Sequence, residues 1–225
     1  MPRTLKGLGV LALFLETAMK RRNFCACSVA VFLGFSISDN ILLSDDQDRP
    51  RCGVRDEING VLRKKTKWGK NKLSYHIYAR DTGELSKGEW DKEFRLSFDA
   101  WSEITPLVFE KIDSYREADI IVSVSGRRRE SFGKRGGVLA WASMPSGKNY
   151  NGQLMTKFDM AENWVLPEKA DMGIVLRSVA CHEIGHLLGL DHSADREALM
   201  YPYINDALKP RTDDILKIQK LYGFA

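Results

Sequence analysis

The stretch of sequence that decides the fold reads His182-Glu183-Ile184-Gly185-His186-Leu187-Leu188-Gly189-Leu190-Asp191-His192. On a helix, His182 and His186 lie one turn apart on the same face. Gly189 can adopt the left-handed conformation that ends a helix, so that the chain turns back and brings His192 to the same point. Three imidazole ligands leave the fourth tetrahedral position of a zinc ion open, which is typical of a catalytic site. Glu183, between the two helical ligands, is the expected general base.

The composition favours one globular domain with additional N-terminal segments. The chain has 225 residues, of which 44% are hydrophobic and 28% charged, as is ordinary for a soluble domain. Its net charge of +4 is modest and does not predict nucleic-acid binding. Only four histidines are present, and three of them belong to the run, which leaves His76 alone. We therefore expect one catalytic zinc and no second zinc site built from several histidines.

The N-terminus contains an apolar segment typical of secretion. Residues 24–35 follow Lys20-Arg21-Arg22 and lead to small residues, which favours a signal peptide cleaved near Ser38. An uncleaved membrane anchor is the alternative, although about 14 apolar residues are short for a bilayer span of about 20. We expect residues 1–38 to be this signal and the protein to be extracellular, or attached to a membrane if the segment is retained.

Hydrophobic periodicity predicts a mixed α/β domain. Alternation and short apolar runs predict strands at 73–79, 120–124, 138–144 and 154–158. Ser86 and Glu89 form a capping box, which predicts an amphipathic helix with the buried stripe Trp90, Phe94, Phe98 and Trp101. Two more helices are expected, one over 172–188 and one after Thr212, which would cap it. A substrate cleft would lie between the zinc-binding helix and the C-terminal part.

The residues after the histidine run carry a family resemblance. Ser193 and the sequence Ala198-Leu199-Met200-Tyr201-Pro202 are similar to the matrix metalloproteinases, or matrixins, of the metzincin clan, with Met200 at their Met-turn. The resemblance implies a metzincin catalytic domain, an α/β (α+β) fold with a twisted mixed five-stranded sheet, three helices and a Met-turn. It also implies a zinc endopeptidase acting on extended polypeptides such as extracellular matrix proteins. We expect a minimal form without a hemopexin-like domain.

A second motif resembles the cysteine switch of this family. It reads Pro50-Arg51-Cys52-Gly53-Val54-Arg55-Asp56, and Arg51 and Asp56 stand where the family braces the loop with an ion pair. A thiolate is a good zinc ligand, so Cys52 would take the fourth position and keep the enzyme latent. Residues 39–66 would then be a short propeptide and residues 67–225 the catalytic domain.

The resemblance also predicts substrate contacts. In the family, the strand similar to 138–144 forms the edge of the cleft and pairs with the backbone of the substrate. Leu139 and Ala140 are therefore expected on one side of the substrate. Pro202 and Tyr203 are expected in the opposite wall.

The chain departs from the family at several expected metal positions. The ligands of a second, structural zinc would fall on residues that cannot bind it, namely Gly126, Arg128, Trp141 and Lys157, so this zinc is expected to be absent. Asp159 and Glu162 remain from an acidic calcium cluster. Calcium is doubtful, because five cations lie nearby in sequence: Arg127, Arg128, Arg129, Lys134 and Arg135. These arginines belong to a solvated loop or contact a polyanion. The rival function is therefore a catalytically weak zinc-binding or polyanion-binding protein of the same fold.

Overall fold

The computed structural model describes residues 49–55, 57–58, 61–62, 66–82, 84–125, 132 and 134–225. Several predictions fall elsewhere: the signal or anchor at 1–38, most of the propeptide, Asp56 and the polyanion contact at Arg127–Arg129 lie outside the described residues. Residues 49–225 form one compact unit. In the described part of the chain, no helix is long and apolar enough to cross a bilayer.

The described residues form ten strands, three α-helices and one 3-10 turn. The strands are β1 (Arg51–Cys52), β2 (Glu57–Ile58), β3 (Val61–Leu62), β4 (Lys72–Tyr78), β5 (Val108–Lys111), β6 (Ile120–Ser125), β7 (Val138–Ala142), β8 (Leu154–Asp159), β9 (Trp164–Val165) and β10 (Ile174–Val175). The α-helices are α1 (Lys87–Ser102), α2 (Leu176–Leu187) and α3 (Thr212–Tyr222), with one 3-10 turn at Pro167–Lys169.

A mixed sheet forms the centre of the domain. Its six strands lie in the order β1, β7, β8, β6, β4, β5; β7 and β8 are antiparallel, and the other neighbours are parallel. The predicted mixed α/β fold with three helices is confirmed, but the sheet has six strands rather than five. The additional strand is β1, which contains Cys52 and pairs with the edge strand β7.

Strand β5 was not predicted from the sequence. Three of its four side chains are exposed, so its sequence shows no alternation between an apolar and a polar face. Its backbone pairs with β4 in parallel, from Lys72 opposite Val108 to Tyr75 opposite Lys111. Position at the edge of the sheet, and not burial, determines this strand.

Helix α1 forms as predicted and packs against helix α2, which carries His182 and His186. The Ser86 hydroxyl accepts from the Glu89 N–H, and the Glu89 carboxylate accepts from the Ser86 N–H at 2.7 Å. The predicted aromatic stripe is completely buried. From this stripe, the Trp101 indole N–H donates to the carbonyl of Cys181 in α2 at 2.9 Å. The two helices are therefore joined next to His182.

Helix α2 begins four residues later than predicted. The carbonyl of Met172 accepts from the Asn163 side chain at 2.7 Å, and the N–H of Ile174 donates to the Asn163 carbonyl at 2.8 Å. These bonds keep 172–174 out of the helix, with Met172 in a turn, and β10 then pairs with β9. A Cβ on Gly173 would lie 2.4 Å from the Asn163 carbonyl oxygen, so the close approach requires glycine.

The sequence suggested that Thr212 caps helix α3, but in the structure it does not. Thr212 is the first helical residue, and Arg211 holds the position before it. The Asp214 carboxylate accepts from the Arg211 N–H at 2.8 Å. Its charge also suits the positive end of the helix. The cap therefore comes from inside the first turn.

Candidate metal centre

The three histidines of the run come together at one point. His182 and His186 project from the same face of α2, and their Nε2 atoms are 3.1 Å apart. The Nε2 atoms of His186 and His192 are also 3.1 Å apart. His186 is completely buried and His182 is 7% exposed.

Backbone carbonyls orient two of the imidazoles. The Nδ1 of His182 lies 2.7 Å from the Leu199 carbonyl oxygen, and the Nδ1 of His186 lies 2.7 Å from the Leu190 carbonyl oxygen. Because a carbonyl oxygen only accepts, each Nδ1 carries the proton and each Nε2 presents a lone pair to the centre. Lone pairs facing each other at 3.1 Å repel unless a cation lies between them. The arrangement is the one that metal-binding histidines adopt.

The donor set fits a tetrahedral zinc ion. Cys52, His182, His186 and His192 each offer one donor atom, and these four atoms lie within 4.8 Å of one another. Ordinary zinc bond lengths would separate two nitrogens by about 3.3 Å and a nitrogen from a thiolate sulfur by about 3.5 Å. The observed separations are 3.1 Å between nitrogens and 3.5 Å between Cys52 Sγ and His186 Nε2. The residues present could therefore hold one zinc ion.

Glu183 lies beside the centre without solvent contact. The side chain is completely buried, and neither carboxylate oxygen has a hydrogen-bond partner among the described residues. Burial raises the pKa of Glu183 to about 8, against a smaller opposing effect of the Cys52 thiol. A buried carboxyl group without hydrogen-bond partners reduces the stability of the fold. Its presence here indicates that a polar group, such as a water molecule or a substrate amide, binds beside it during function.

The Met-turn packs directly beneath helix α2. Met200 is completely buried, and a Cβ on Gly185 would lie 2.4 Å from its sulfur. The N–H of Ser193 donates to the Met200 carbonyl at 2.8 Å, which joins the turn to the segment carrying His192. Glycine at 185 is therefore required by the close packing of methionine under the site.

Asp214 holds the Met-turn in place, a role that the sequence did not reveal. Its carboxylate is buried and accepts from the backbone N–H groups of Leu199 at 2.8 Å and Met200 at 3.0 Å. In the sequence, an acidic residue in the first turn of a helix is explained by the helix dipole alone. The sequence also shows two consecutive acidic residues, Asp213 and Asp214, but it does not reveal which of them is buried. In the structure Asp213 is the partly exposed one.

Residues 50–53 cross the histidine cluster as an extended segment bonded to the sheet edge. The N–H of Arg51 donates to the Gly137 carbonyl at 2.9 Å, and the N–H of Gly53 donates to the Ala140 carbonyl at 2.8 Å. A Cβ on Gly53 would lie 2.7 Å from Val138 Cγ1, so glycine permits this approach.

The other side of the same segment is bonded to the opposite wall. The N–H of Cys52 donates to the Pro202 carbonyl at 2.9 Å, and the N–H of Ile204 donates to the Pro50 carbonyl at 3.0 Å. Arg51 also forms an antiparallel bridge with Tyr203. The segment therefore fills the space between the edge strand and the wall, with the Cys52 side chain 7% exposed.

A small cavity opens beside Glu183. Three of the four predicted substrate contacts line it: Leu139, Pro202 and Tyr203. Ala140 does not line the cavity, and its carbonyl accepts from the Gly53 N–H instead. Further lining residues, not predicted as substrate contacts, are Ser178, Val179, Leu199 and Tyr201. Asn205, in the loop after Tyr203, also lines the cavity. The Ser178 hydroxyl donates to the Asn205 carbonyl at 3.1 Å, which joins helix α2 to the loop after the wall.

Two of the positions where the family would bind a second zinc, Trp141 and Lys157, contact each other instead. Trp141 and Lys157 are paired across β7 and β8, and the Lys157 ammonium lies 5.5 Å from the Trp141 ring centroid. This is a cation–π contact. Among the described residues, the histidine and Cys52 cluster is the one group of three or more potential metal ligands. The number of zinc ions stays a prediction.

The two acidic residues of the doubtful calcium site are buried. A Glu162 carboxylate oxygen accepts from the Gly136 N–H at 2.7 Å, and Asp159 accepts from the Ala161 N–H at 2.9 Å. Burial raises the pKa of Glu162, and the Asp159 charge adds to that rise. Both carboxylates thus already have backbone partners. Calcium binding at this position stays a prediction.

Comparisons with known proteins agree with this geometry. The matrixin family matches residues 67–223, which is more than half of the chain. Matrix metalloproteinase-20 of Homo sapiens is 42% identical over 183 residues, covering 78% of this chain and 36% of that protein. Matrix metalloproteinase-16 of Homo sapiens is 37% identical over 202 residues, covering 80% of this chain and 33% of that protein.

A third relative extends over almost the whole chain. Macrophage metalloelastase of Oryctolagus cuniculus is 34% identical over 229 residues, covering 96% of this chain and 48% of that protein. The chain thus spans between a third and a half of the length of these relatives. With its histidine cluster, Met-turn and mixed sheet, and with the family match over residues 67–223, the chain belongs to the matrixin family.

Proposed function

We propose that this protein is a zinc-dependent endopeptidase of the matrix metalloproteinase type. The observation that carries the proposal is the convergence of three Nε2 atoms beside a buried carboxyl group. Two of these imidazoles are oriented by backbone carbonyls, as a preformed ligand set requires. The names of the relatives, two matrix metalloproteinases and a metalloelastase, support the same activity.

The residues divide the chemistry between binding and proton transfer. His182, His186 and His192 would hold the zinc ion, which supplies a Lewis acid that polarises the scissile carbonyl and promotes ionisation of water. Glu183 accepts a proton from the attacking water at a carboxylate oxygen and delivers it to the nitrogen of the leaving amine. In the present form its burial keeps bulk solvent away from the carboxyl group, and release of residues 50–53 would admit the attacking water. One zinc per chain suffices for this scheme.

The substrates are extended polypeptides, and we assign extracellular matrix proteins as the substrate class. The pro-segment supports an extended substrate, because it already pairs with the edge strand at Gly137 and Ala140 and with the wall at Pro202. Backbone pairing of this kind binds a polypeptide without requiring a particular sequence. The cavity beside Glu183 would then receive one side chain of the substrate. The apolar segment 24–35 supports export.

Latency is assigned to Cys52. Its sulfur lies 3.5 Å from His186 Nε2, at the distance expected for two ligands of one zinc ion. With the thiolate on the ion, the position needed for catalysis is filled and the cleft is covered by residues 50–53. Release of this segment would convert the latent form into the active one.

The central test compares zinc content and peptide cleavage in three forms of the full chain. Cys52→Ser should show one zinc per chain and cleave a quenched fluorescent peptide. Cys52→Ser combined with Glu183→Gln should keep the zinc and lose activity by about 10²–10⁴-fold. The unsubstituted chain should hold zinc with low activity. Equal activity with and without Glu183→Gln, or activity unaffected by exhaustive chelation, would refute the proposal.

A further inference from the structure

The carbonyls of the last three residues of helix α2 and of Leu188, its C-cap, all accept hydrogen bonds. Those of Gly185 and His186 accept from the N–H groups of Leu190 at 3.0 Å and Gly189 at 2.9 Å, which is the pattern of a Schellman cap. The carbonyls of 187 and 188 have no donor within the helix, because the chain leaves it at this point. Their donors come from elsewhere.

Trp68 and Tyr222 supply the two missing donors. The indole N–H of Trp68 donates to the Leu187 carbonyl at 2.8 Å, and the hydroxyl of Tyr222 donates to the Leu188 carbonyl at 2.7 Å. The same hydroxyl accepts from the backbone N–H of Trp68 at 3.0 Å. Burial raises the pKa of Tyr222, so the hydroxyl stays protonated and remains a donor. Two side chains far apart in sequence thus complete one cap.

The residues next to Trp68 close against the same turn. Gly189 has a φ of +100°, and a Cβ there would lie 2.1 Å from the carbonyl oxygen of Thr66. The Lys67 ammonium donates to the Leu221 carbonyl at 2.9 Å, at the C-terminal end of helix α3. Residues 66–68 therefore cap two helices at once.

The capped turn at residues 188–190 contacts one predicted zinc ligand and precedes another. The Leu190 carbonyl at the end of the Schellman cap accepts from His186 Nδ1 at 2.7 Å. His192 follows only two residues later. A shift of the turn would therefore change the orientation of one ligand and the position of another.

We propose that Trp68 and Tyr222 are positioning residues for the zinc centre. This inference rests on the proposed function and names a new requirement for it. Both side chains act through the turn at residues 188–190, which they hold so that His186 and His192 meet at one ion. Without the Tyr222 hydroxyl, the Leu188 carbonyl and the Trp68 N–H lose their shared partner, and the turn can relax away from the ligand geometry.

The test measures zinc retention in the zinc-loaded full chain. Tyr222→Phe removes one oxygen and leaves the ring in place. We expect its zinc affinity, measured by competition with a chromogenic chelator, to fall by about 10-fold or more, as for other residues that orient metal ligands. Trp68→Phe should act in the same direction. Tyr150→Phe is the matched control, since its hydroxyl donates to the Gln153 carbonyl at 3.0 Å and touches neither terminal carbonyl of α2.

A second readout separates positioning from general stability. In the Cys52→Ser background, Tyr222→Phe should lower kcat for a peptide substrate with little change in KM, because the ligand geometry is disturbed and the cleft is not. Zinc retention equal to that of the parent in both Tyr222→Phe and Trp68→Phe would overturn the inference, even if the thermal midpoint fell. A parent chain that takes up no zinc would instead refute the proposed function itself, and the inference with it.

Discussion

Asp214 and His182 bind the same residue from opposite sides. The Leu199 N–H donates to the Asp214 carboxylate at 2.8 Å, and the Leu199 carbonyl accepts from His182 Nδ1 at 2.7 Å. The helix α3 carboxylate therefore orients a predicted zinc ligand through the backbone of one residue, Leu199. We expect the two groups to be coupled in measurements of zinc binding.

Asp214→Asn should weaken both the fold and the centre. An amide can offer one accepting oxygen, but its NH₂ group then faces a backbone N–H and leaves that donor unsatisfied. A buried unsatisfied donor reduces the free energy of unfolding by about 1–3 kcal/mol. Thermal unfolding and chelator competition would measure the two effects. Asp213→Asn is the control on the adjacent, partly exposed carboxylate and should change the unfolding free energy by less than about 1 kcal/mol.

Gly185→Ala should destabilise the domain through the Met-turn. The added Cβ would lie 2.4 Å from the Met200 sulfur and 3.0 Å from the Trp101 ring, so the packing beneath the site must shift. Overpacking of this kind usually costs about 1–3 kcal/mol of unfolding free energy. Gly88→Ala in α1 is a matched control, because its Cβ would meet only the Ser86 hydroxyl oxygen, at 4.0 Å. That variant should be neutral or slightly more stable in denaturant unfolding, and equal losses in both variants would contradict the packing argument.

Zinc should protect the Cys52 thiol from alkylation. It is 7% exposed and lies 3.5 Å from His186 Nε2, so zinc ligation and cover by the cleft both slow its reaction with iodoacetamide. Removal of zinc by a chelator should accelerate its modification, which mass spectrometry of the peptide containing Cys52 would follow. Cys181 provides an internal comparison, since it is completely buried away from the cluster and should stay unmodified in the folded chain with or without zinc. A Cys52 rate that does not respond to zinc would argue against its role as a ligand.

Glu162→Gln should raise the free energy of unfolding at neutral pH but leave it unchanged at acidic pH. Burial raises the pKa of Glu162 in the folded chain, so ionisation of this group disfavours the folded state as the pH rises through that pKa. The penalty is present at neutral pH and absent below the unfolded carboxyl pKa of about 4.3. A glutamine can still accept from the Gly136 N–H. Chemical unfolding at pH 7.5 and at low pH, with and without added calcium, would check this. Calcium that stabilises the parent but not the variant would show that the carboxylate binds the ion.

The sequence predicted those parts of the site that depend on local spacing. His182 and His186 at i and i+4, the turn at Gly189, and the capping box at Ser86 follow from helix geometry alone, and the structure contains all of them. The contacts of Asp214, Trp68 and Tyr222 could not be predicted in this way. Each depends on which distant carbonyl or N–H group the fold brings near, and no periodicity encodes that information.

Three elements differ from the prediction. The start of α2 moved to Leu176 because Asn163 takes backbone groups of Met172 and Ile174. Strand β5 was missed because its edge position leaves most of its side chains exposed. In these two cases a tertiary contact outweighed the local preference of the chain. The cap of α3 moved from Thr212 to the Asp214 carboxylate through a local contact with the Arg211 N–H.

The docked strand β1 also shields the sheet. While Arg51 and Gly53 occupy the hydrogen-bonding groups of Gly137 and Ala140, this border of the sheet offers no template to another molecule. Without this segment, the N–H and C=O groups along β7 would be free to pair with another polypeptide or with a second copy of the protein. We therefore expect a form of the chain that lacks residues 50–53 to self-associate more readily than the full chain.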